Sequence, residues 1–337
     1  MKIDMFNHIF PRGYFERMMA VAPKHRDMGK RVRDIPILVD LDERFRVMDR
    51  FGDYQQVLSL ASPPIEVLAT GEVAADLARH ANDGLSELVA RHPDRFPAFT
   101  ASLPMGDPDE AAAEAQHAID DLGARGVQVF SNAAGRPLDD PGYVPLFDLL
   151  AERGLPIWLH PARGADFADY ATEDKSRYEI WWTFGWPYET SAAMARLVFS
   201  GLFDRHPDIK IIAHHMGGMI PYFEGRVGPG WDQLGTRTSD EDYGALLRSL
   251  KKRPIDYFRQ FIADTAVFGS KPATECGLAF FGVDNVVFAS DSPFDPEKGP
   301  MYIRETIRVI DSLDIGDVAR DRIYRRNTQR LLKLNGS

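Results

Sequence analysis

Apolar positions along this chain alternate between two periodicities. Short runs rich in β-branched and aromatic residues read as strands: KIDMFNHI, YQQVLSLA, RFPAFTASLP, GVQVFS, LPIWLHP, IKIIAHH, FRQFIADT and NVVFASD. They begin near residues 2, 54, 96, 126, 155, 209, 260 and 285. Between them lie segments with apolar residues near helical spacing. LDERFRVMDRFG carries Leu41, Phe45, Val47 and Met48 and stops at Gly52. VAADLARHANDGLSELVARHP is a long amphipathic helix ended by Pro93, and DPDEAAAEAQHAIDDLGARG has acidic residues in its first turn, where the helix dipole favours them. YVPLFDLLAERG, SAAMARLVFSGLFDRHP and SKPATECGLAFFG read as helices, and MYIRETIRVIDSL and RDRIYRRNTQRLLKL form a helical tail. Strands alternating with helices predict an α/β fold with a parallel sheet, and eight repeats favour a closed (β/α)8 TIM barrel over an open sheet.

Three connections are longer than a compact barrel needs. Residues 10–39, rich in Pro, Met, Arg and Lys, predict a small cap or lid inserted after strand 1. Residues 162–189 and 226–254 form long loops after strands 5 and 6, where barrel enzymes place specificity. Residues 1–337 read as one domain, since barrels of this length commonly do. The net charge of -10, with basic residues scattered, argues against nucleic acid or an anionic membrane as partner. The N-terminus shows no basic-then-apolar leader and no apolar run approaches bilayer length, so a cytoplasmic location is expected. The single cysteine, Cys276, excludes an internal disulfide and reads as a packing residue.

Four of the strand patterns end in a group that can ligate a metal. These groups are His8, His160, the pair His214 and His215, and Asp291, each followed closely by Gly, Pro or Asp. Taken singly, a histidine here could cap the rim by bonding a carbonyl, and an Asp before Ser and Pro commonly caps a loop. Four such ends across one chain point instead to a single site at the C-terminal rim of a barrel. Neutral imidazoles with a carboxylate suit zinc, manganese or iron. Adjacent strand residues face opposite ways, so only one of His214 and His215 is expected to face the barrel axis.

These segments resemble the metal-dependent decarboxylases of the amidohydrolase superfamily, in particular the aminocarboxymuconate semialdehyde and γ-resorcylate decarboxylase group. The motifs that carry the likeness are IDMFNHIFP, RFPAFTASLPMGDP, LPIWLHP, the long block from WPYETS to FEGR, and FASDSPFD, spread over nearly the whole chain. The resemblance implies His8, His160 and Asp291 as metal ligands and His215, by its spacing to Gly217, Gly218 and Pro221, as the catalytic histidine. It implies Arg226 as a holder of the substrate carboxylate and Glu189 as a structural or supporting residue. One divalent metal ion, Zn or Mn, is implied, with a homodimer or homotetramer as the assembly.

One departure stands out. The family places His or Glu two residues before the strand-1 histidine, whereas here Phe6 precedes Asn7 and His8. Phe6 shares the parity of His8 and should point into the barrel, leaving three protein ligands. Strand 4, GVQVFS, lacks the lysine that binuclear relatives carboxylate, which implies a mononuclear site. Trp181, Trp182, Phe184, Trp186 and Tyr188 could wall a planar substrate or form core or an interface, and Phe294 is a candidate for the pocket lining. The implied activity is decarboxylation of a small aromatic or unsaturated carboxylate. His215 or Asp291 would supply the proton. The alternatives are a metal-dependent hydrolase or hydratase of a lactone or oxo-acid, and a degenerate, non-catalytic barrel in which Phe6 fills the metal position.

Overall fold

A computed structural model of the chain describes residues 1–23, 29–238 and 240–334. Eight parallel strands form the inner wall: β1 (Lys2–Ile9), β2 (Tyr54–Leu60), β3 (Ala101–Ser102), β4 (Val127–Phe130), β5 (Ile157–His160), β6 (Ile211–Ala213), β7 (Ile262–Asp264) and β8 (Val286–Val287). Ladders join β3 through β8 in sequence order, and β1 pairs with β2. Backbone hydrogen bonds complete the ring on both open sides. Leu58 bridges Phe99, and Thr100 N donates to Leu58 O at 2.9 Å, joining β2 to the β3 region. Met5 N donates to Phe288 O at 2.8 Å, Asp291 N to Phe6 O at 3.1 Å and His8 N to Ser292 O at 2.8 Å, joining β1 to the chain after β8. The regular part of β3 is shorter than the sequence pattern suggests, because Pro97 removes a ladder donor from its first half.

Helices cover the outside as the periodicity predicts. Gly71–Arg91, Pro108–Asp120, Val144–Arg153, Gly185–Phe199, Lys271–Phe281 and Pro300–Asp311 follow their strands. Asp107 and Ser270 cap two of them through side-chain oxygens, and Gly154 ends a third in the left-handed conformation. The apolar core therefore has two layers. One lies between strands and helices. The other fills the barrel, with Ile3, Met5, Phe6, Val57, Trp158, Ile212, Ile262 and Val287, and with Leu331 and Leu332 from the last helix.

The first strand is irregular in a way that matters. Its register with β2 shifts between Asp4 and Asn7. Strict alternation from Ile3 and Met5 would turn Asn7 inward and His8 outward. The bulge instead places both Met5 and Phe6 in the barrel interior, after which His8 also faces in. Asn7 faces out and gives its amide to Val57 O and Asp4 O.

The segment 10–39 folds into a helix at Arg12–Val21, a short helix at Gly29–Arg33 and a turn at Pro36–Leu38; part of the lid expectation, 24–28, lies outside the described residues. Among the described residues no helix is long and apolar enough to cross a membrane.

Candidate metal centre

His8, His160, His214 and Asp291, all buried, each offer one ligand atom, and these atoms lie within 4.8 Å of one another. Each arrives at the end of a strand. His8 leaves the β1 bulge with its Nε2 2.9 Å from Asp291 Oδ1. His160 closes β5, where Pro161 follows and its carbonyl lies 2.7 Å from the ring Nδ1, leaving Nε2 toward the centre. Asp291 follows β8 at φ 61°, a left-handed turn that presents its carboxylate to the three rings.

His214 and His215 overturn the expectation that they face opposite ways. Strand β6 ends at Ala213, so alternation no longer applies. His215 and Met216 both have φ near 55°, and Gly217 and Gly218 follow at φ 73° and 62°, a left-handed turn of four residues. Both histidines consequently point at Asp291: His214 Nε2 is 3.3 Å from Oδ1, His215 Nε2 is 3.5 Å from Oδ2, and their ring centroids are 3.7 Å apart. Met216 packs where Gly277 has no side chain; a Cβ there would meet its Cγ at 2.1 Å. That contact and Asp264 lock the turn. Asp264, at the end of β7, accepts from His214 Nδ1 at 2.5 Å, His215 N at 3.1 Å and Ala266 N at 3.0 Å.

The electrostatics follow from burial and pairing. Burial opposes charge on Asp291, but hydrogen bonds from His214, His215 and His8 outweigh it and hold the carboxyl well below the usual range. Burial, then the neighbouring imidazoles of His214, His8 and His215, hold His160 well below the usual imidazole range. Burial and the adjacent His214 push His215 down. Burial pulls His214 down too, yet the charge and hydrogen bond of Asp264 prevail and raise it to about 9. Four imidazoles and the two carboxylates Asp264 and Asp291 thus share one buried cluster. A buried excess of negative charge is costly, so a divalent cation fits both the donors and the charge.

Phe6 lies beneath this group, fully buried, with its ring centroid 4.1 Å from His214, 5.3 Å from His8 and 5.8 Å from His160. Above it opens a cavity of about 400 Å³ with His160 and Asp291 at its base. Trp181, Trp182 and Trp186 line one side, and Phe268, Phe294 and Tyr302 also line the cavity. Phe294 lies 5.4 Å from the His8 ring. Phe184 and Tyr188 are exposed instead. Lys30, Asp34 and Ile35 from the 10–39 segment also line the cavity.

Arg226 is exposed, with its guanidinium 5.7 Å over the Phe223 ring, and it is not among the described residues that line this cavity. Glu189 accepts from Arg163 at 2.7 Å, a structural ion pair beside the site. Cys276 is half-buried on its helix rather than in the core.

Three residues escaped the sequence reading. Asp264 ends an apolar strand just as Asp291 does, so the same signal was available in FIADT. His214 was hidden because the strand ends one residue earlier than the apolar run suggests. Arg44 gave no signal: it lies inside a helix pattern, yet it is fully buried and donates to Gln56 Oε1 at 2.6 Å and to the carbonyl of His8.

Comparison with known proteins agrees with this architecture. Residues 3–334 match the amidohydrolase family. The chain is 34% identical over 310 residues to a γ-resorcylate decarboxylase from Rhizobium radiobacter, covering 89% of each protein. It is 28% identical over 324 residues to the 2-amino-3-carboxymuconate-6-semialdehyde decarboxylase of Dictyostelium discoideum, covering 91% of this chain and 86% of that one. It also superposes on a crystal structure of a dihydroxybenzoic acid decarboxylase from Polaromonas sp. JS666, with bound manganese and the inhibitor 2-nitroresorcinol. That match has a TM-score of 0.80 at 29% identity and covers 100% of this chain and 98% of that one. With the family matched along almost its full length and the buried histidine and aspartate cluster in place, the chain belongs to the amidohydrolase family.

Proposed function

We propose that this protein is a metal-dependent carboxy-lyase that removes CO2 from a small aromatic carboxylate carrying a neighbouring hydroxyl. The observation that carries the reading is the convergence of His8, His160, His214 and Asp291 at the base of a cavity walled by aromatic rings. Relatives named as decarboxylases of dihydroxybenzoates support the substrate class. One divalent cation, zinc or manganese, belongs here; His8, His160 and Asp291 would hold it. When bound, it serves as a Lewis acid and template for the carboxylate and the adjacent oxygen.

The chain's own residues do the rest. The aromatic walls fix the plane of the substrate and exclude water from its ring. His215 is the least buried of the clustered histidines, with 10% of its side chain exposed against none for His8 and His214. Its Nε2 shares a hydrogen bond with Asp291 Oδ2, and this pair delivers a proton to the ring carbon that bears the carboxylate. That carbon becomes tetrahedral and the ring loses its aromaticity. The carbon–carboxylate bond then breaks, its electron pair returns to the ring, and CO2 leaves. Lys30, Asp34 and Ile35 line the cavity, so the described part of the 10–39 segment acts as its lid, and the chain works as one cytoplasmic barrel domain in a homodimer or homotetramer.

The test is a panel of hydroxybenzoates incubated with metal-analysed protein, read by CO2 release and product chromatography. Turnover of an ortho-hydroxybenzoate with stoichiometric CO2 is expected. Hydrolysis of lactones without CO2 would replace this reading with the hydrolase one.

A further inference from the structure

We infer that His214 is a direct ligand of the bound cation, supplying from β6 the donor that β1 does not offer at Phe6, and that Asp264 orients it. The inference rests on the metal-dependent reading above, and it assigns His214 and His215, neighbours in sequence, to different tasks.

The geometry separates them. His214 commits Nδ1 to Asp264 Oδ2 at 2.5 Å, so its remaining nitrogen, Nε2, is the one turned toward Asp291. A carboxylate behind an imidazole fixes the tautomer and aims the free nitrogen, as it does behind metal-bound histidines generally. The ring is fully buried, so its nitrogen meets no solvent. His215 makes a different set of contacts. Its backbone N–H, not its ring, reaches Asp264, and its Nε2 faces the other carboxylate oxygen of Asp291 at the longer distance of 3.5 Å. It lies outside the group of mutually close donors, which comprises His8, His160, His214 and Asp291. Its ring also contacts Phe268, which lines the cavity. His214 therefore faces the cation, while His215 sits beside Phe268 at the cavity's edge, where the proposed function uses it.

Phe6 explains why a donor from β6 matters. It shares the inward side of β1 with His8 but carries no ligand atom, and its ring packs at 4.1 Å against His214. The two side chains fill adjoining volumes on the floor of the site. With Phe6 in place, β1 gives one donor, and His214 brings the protein's total to four. Ala213 ends the strand, and the left-handed turn that follows is what brings two successive histidines to one side.

Full-length protein stripped of metal and titrated with Zn2+ and Mn2+ tests this, with dissociation constants and bound metal measured directly. Wild-type protein should bind about one cation per chain. Asp264→Asn should weaken binding by about 10- to 100-fold, and His214→Ala by more, while His215→Asn leaves binding within a few-fold of wild type. The cobalt-loaded His214→Gln protein should show an altered visible spectrum, whereas His215→Asn should not. Phe6→His combined with His214→Ala should recover binding, because the swap moves the donor back to β1. A folded His214→Ala protein that binds as tightly as wild type overturns the assignment and leaves the decarboxylase reading intact. If His214→Ala does not fold, an unchanged dissociation constant in both His214→Gln and Asp264→Asn overturns it. Wild-type protein that binds no cation overturns both readings together.

Discussion

The backbone of His215 sits at φ 55° and ψ 51°, a conformation that costs a residue with a side chain about 1 kcal/mol or more. Its hydrogen bond to Asp264 and the packing of Met216 hold it there. The strain turns the ring toward Asp291 Oδ2, so under the proposed mechanism its loss should be chemical rather than structural. His215→Asn is expected to lower kcat by about 10²- to 10⁴-fold with metal content unchanged, as steady-state rates and metal analysis would show; near-normal turnover would remove His215 from the mechanism. A second residue, Asp4, lies deeper. Burial raises its carboxyl to about 6 against the opposing hydrogen bonds from Ser290 and Tyr54. Its folded pKa exceeds its unfolded value of 3.8, so its contribution to stability is full below that value and declines as pH rises to about 6. Between pH 4.5 and 7 the stability advantage of wild type over Asp4→Asn should therefore shrink by about 2 kcal/mol. Urea denaturation of both proteins at the two pH values measures this, and a gap that widens with pH would contradict it.

At the level of elements, β1 owes its function to the bulge between Asp4 and Asn7, and the bulge is held from outside the barrel by Arg44. That guanidinium, fully buried, donates to Ile37 O at 3.2 Å, to Gln56 and Asn7, and to the His8 carbonyl. Burial lowers it only to about 10, so it stays charged at neutral pH. Replacing it leaves four acceptors without a donor, and Arg44→Leu is expected to cost roughly 3–5 kcal/mol in chemical denaturation. A loss below about 1 kcal/mol, the size of one ordinary hydrogen bond, would mean that β1 holds its shape unaided. The contrast with the sequence is instructive here. The apolar runs showed where strands lie and which of them end in ligands, because period-2 burial is written in side-chain type. They did not show the bulge that makes His8 face inward, nor the end of β6 at Ala213, because both are set by backbone conformation. Alternation gave the right side for Phe6 and His8 because regular pairing resumes at Asn7, between them. For His214 and His215 it failed, because no strand is there.

For the whole molecule, the eight βα repeats and the rim location of the site were legible because each repeat carries its own pattern. The conformation at Arg226 was not, since it opens a π-helical turn, Arg226–Gly230, that no local apolar pattern encodes. The metal cluster draws on the ends of four strands, β1, β5, β6 and β8, and so ties the two-stranded β1–β2 ladder to the six-stranded one. Removing the cation should lower the thermal midpoint, and restoring zinc or manganese at about 1,000 times Kd should return about 4 kcal/mol of stability. A midpoint indifferent to chelator would show that the barrel closes without it.

His8 and Asp291, in contact at 2.9 Å, are 283 residues apart in the chain. During synthesis His8 emerges 283 residues before Asp291. A growing chain can align β1 with β2 early, but it has no closing partner for β1 and no complete ligand set until Asp291 leaves the ribosome. Up to that moment the inward face of β1, with Met5 and Phe6, has no barrel to fill. The nascent protein should therefore be most dependent on chaperones, and least able to capture metal, throughout that interval. Both conditions should end together, once Asp291 and the strand before it have emerged.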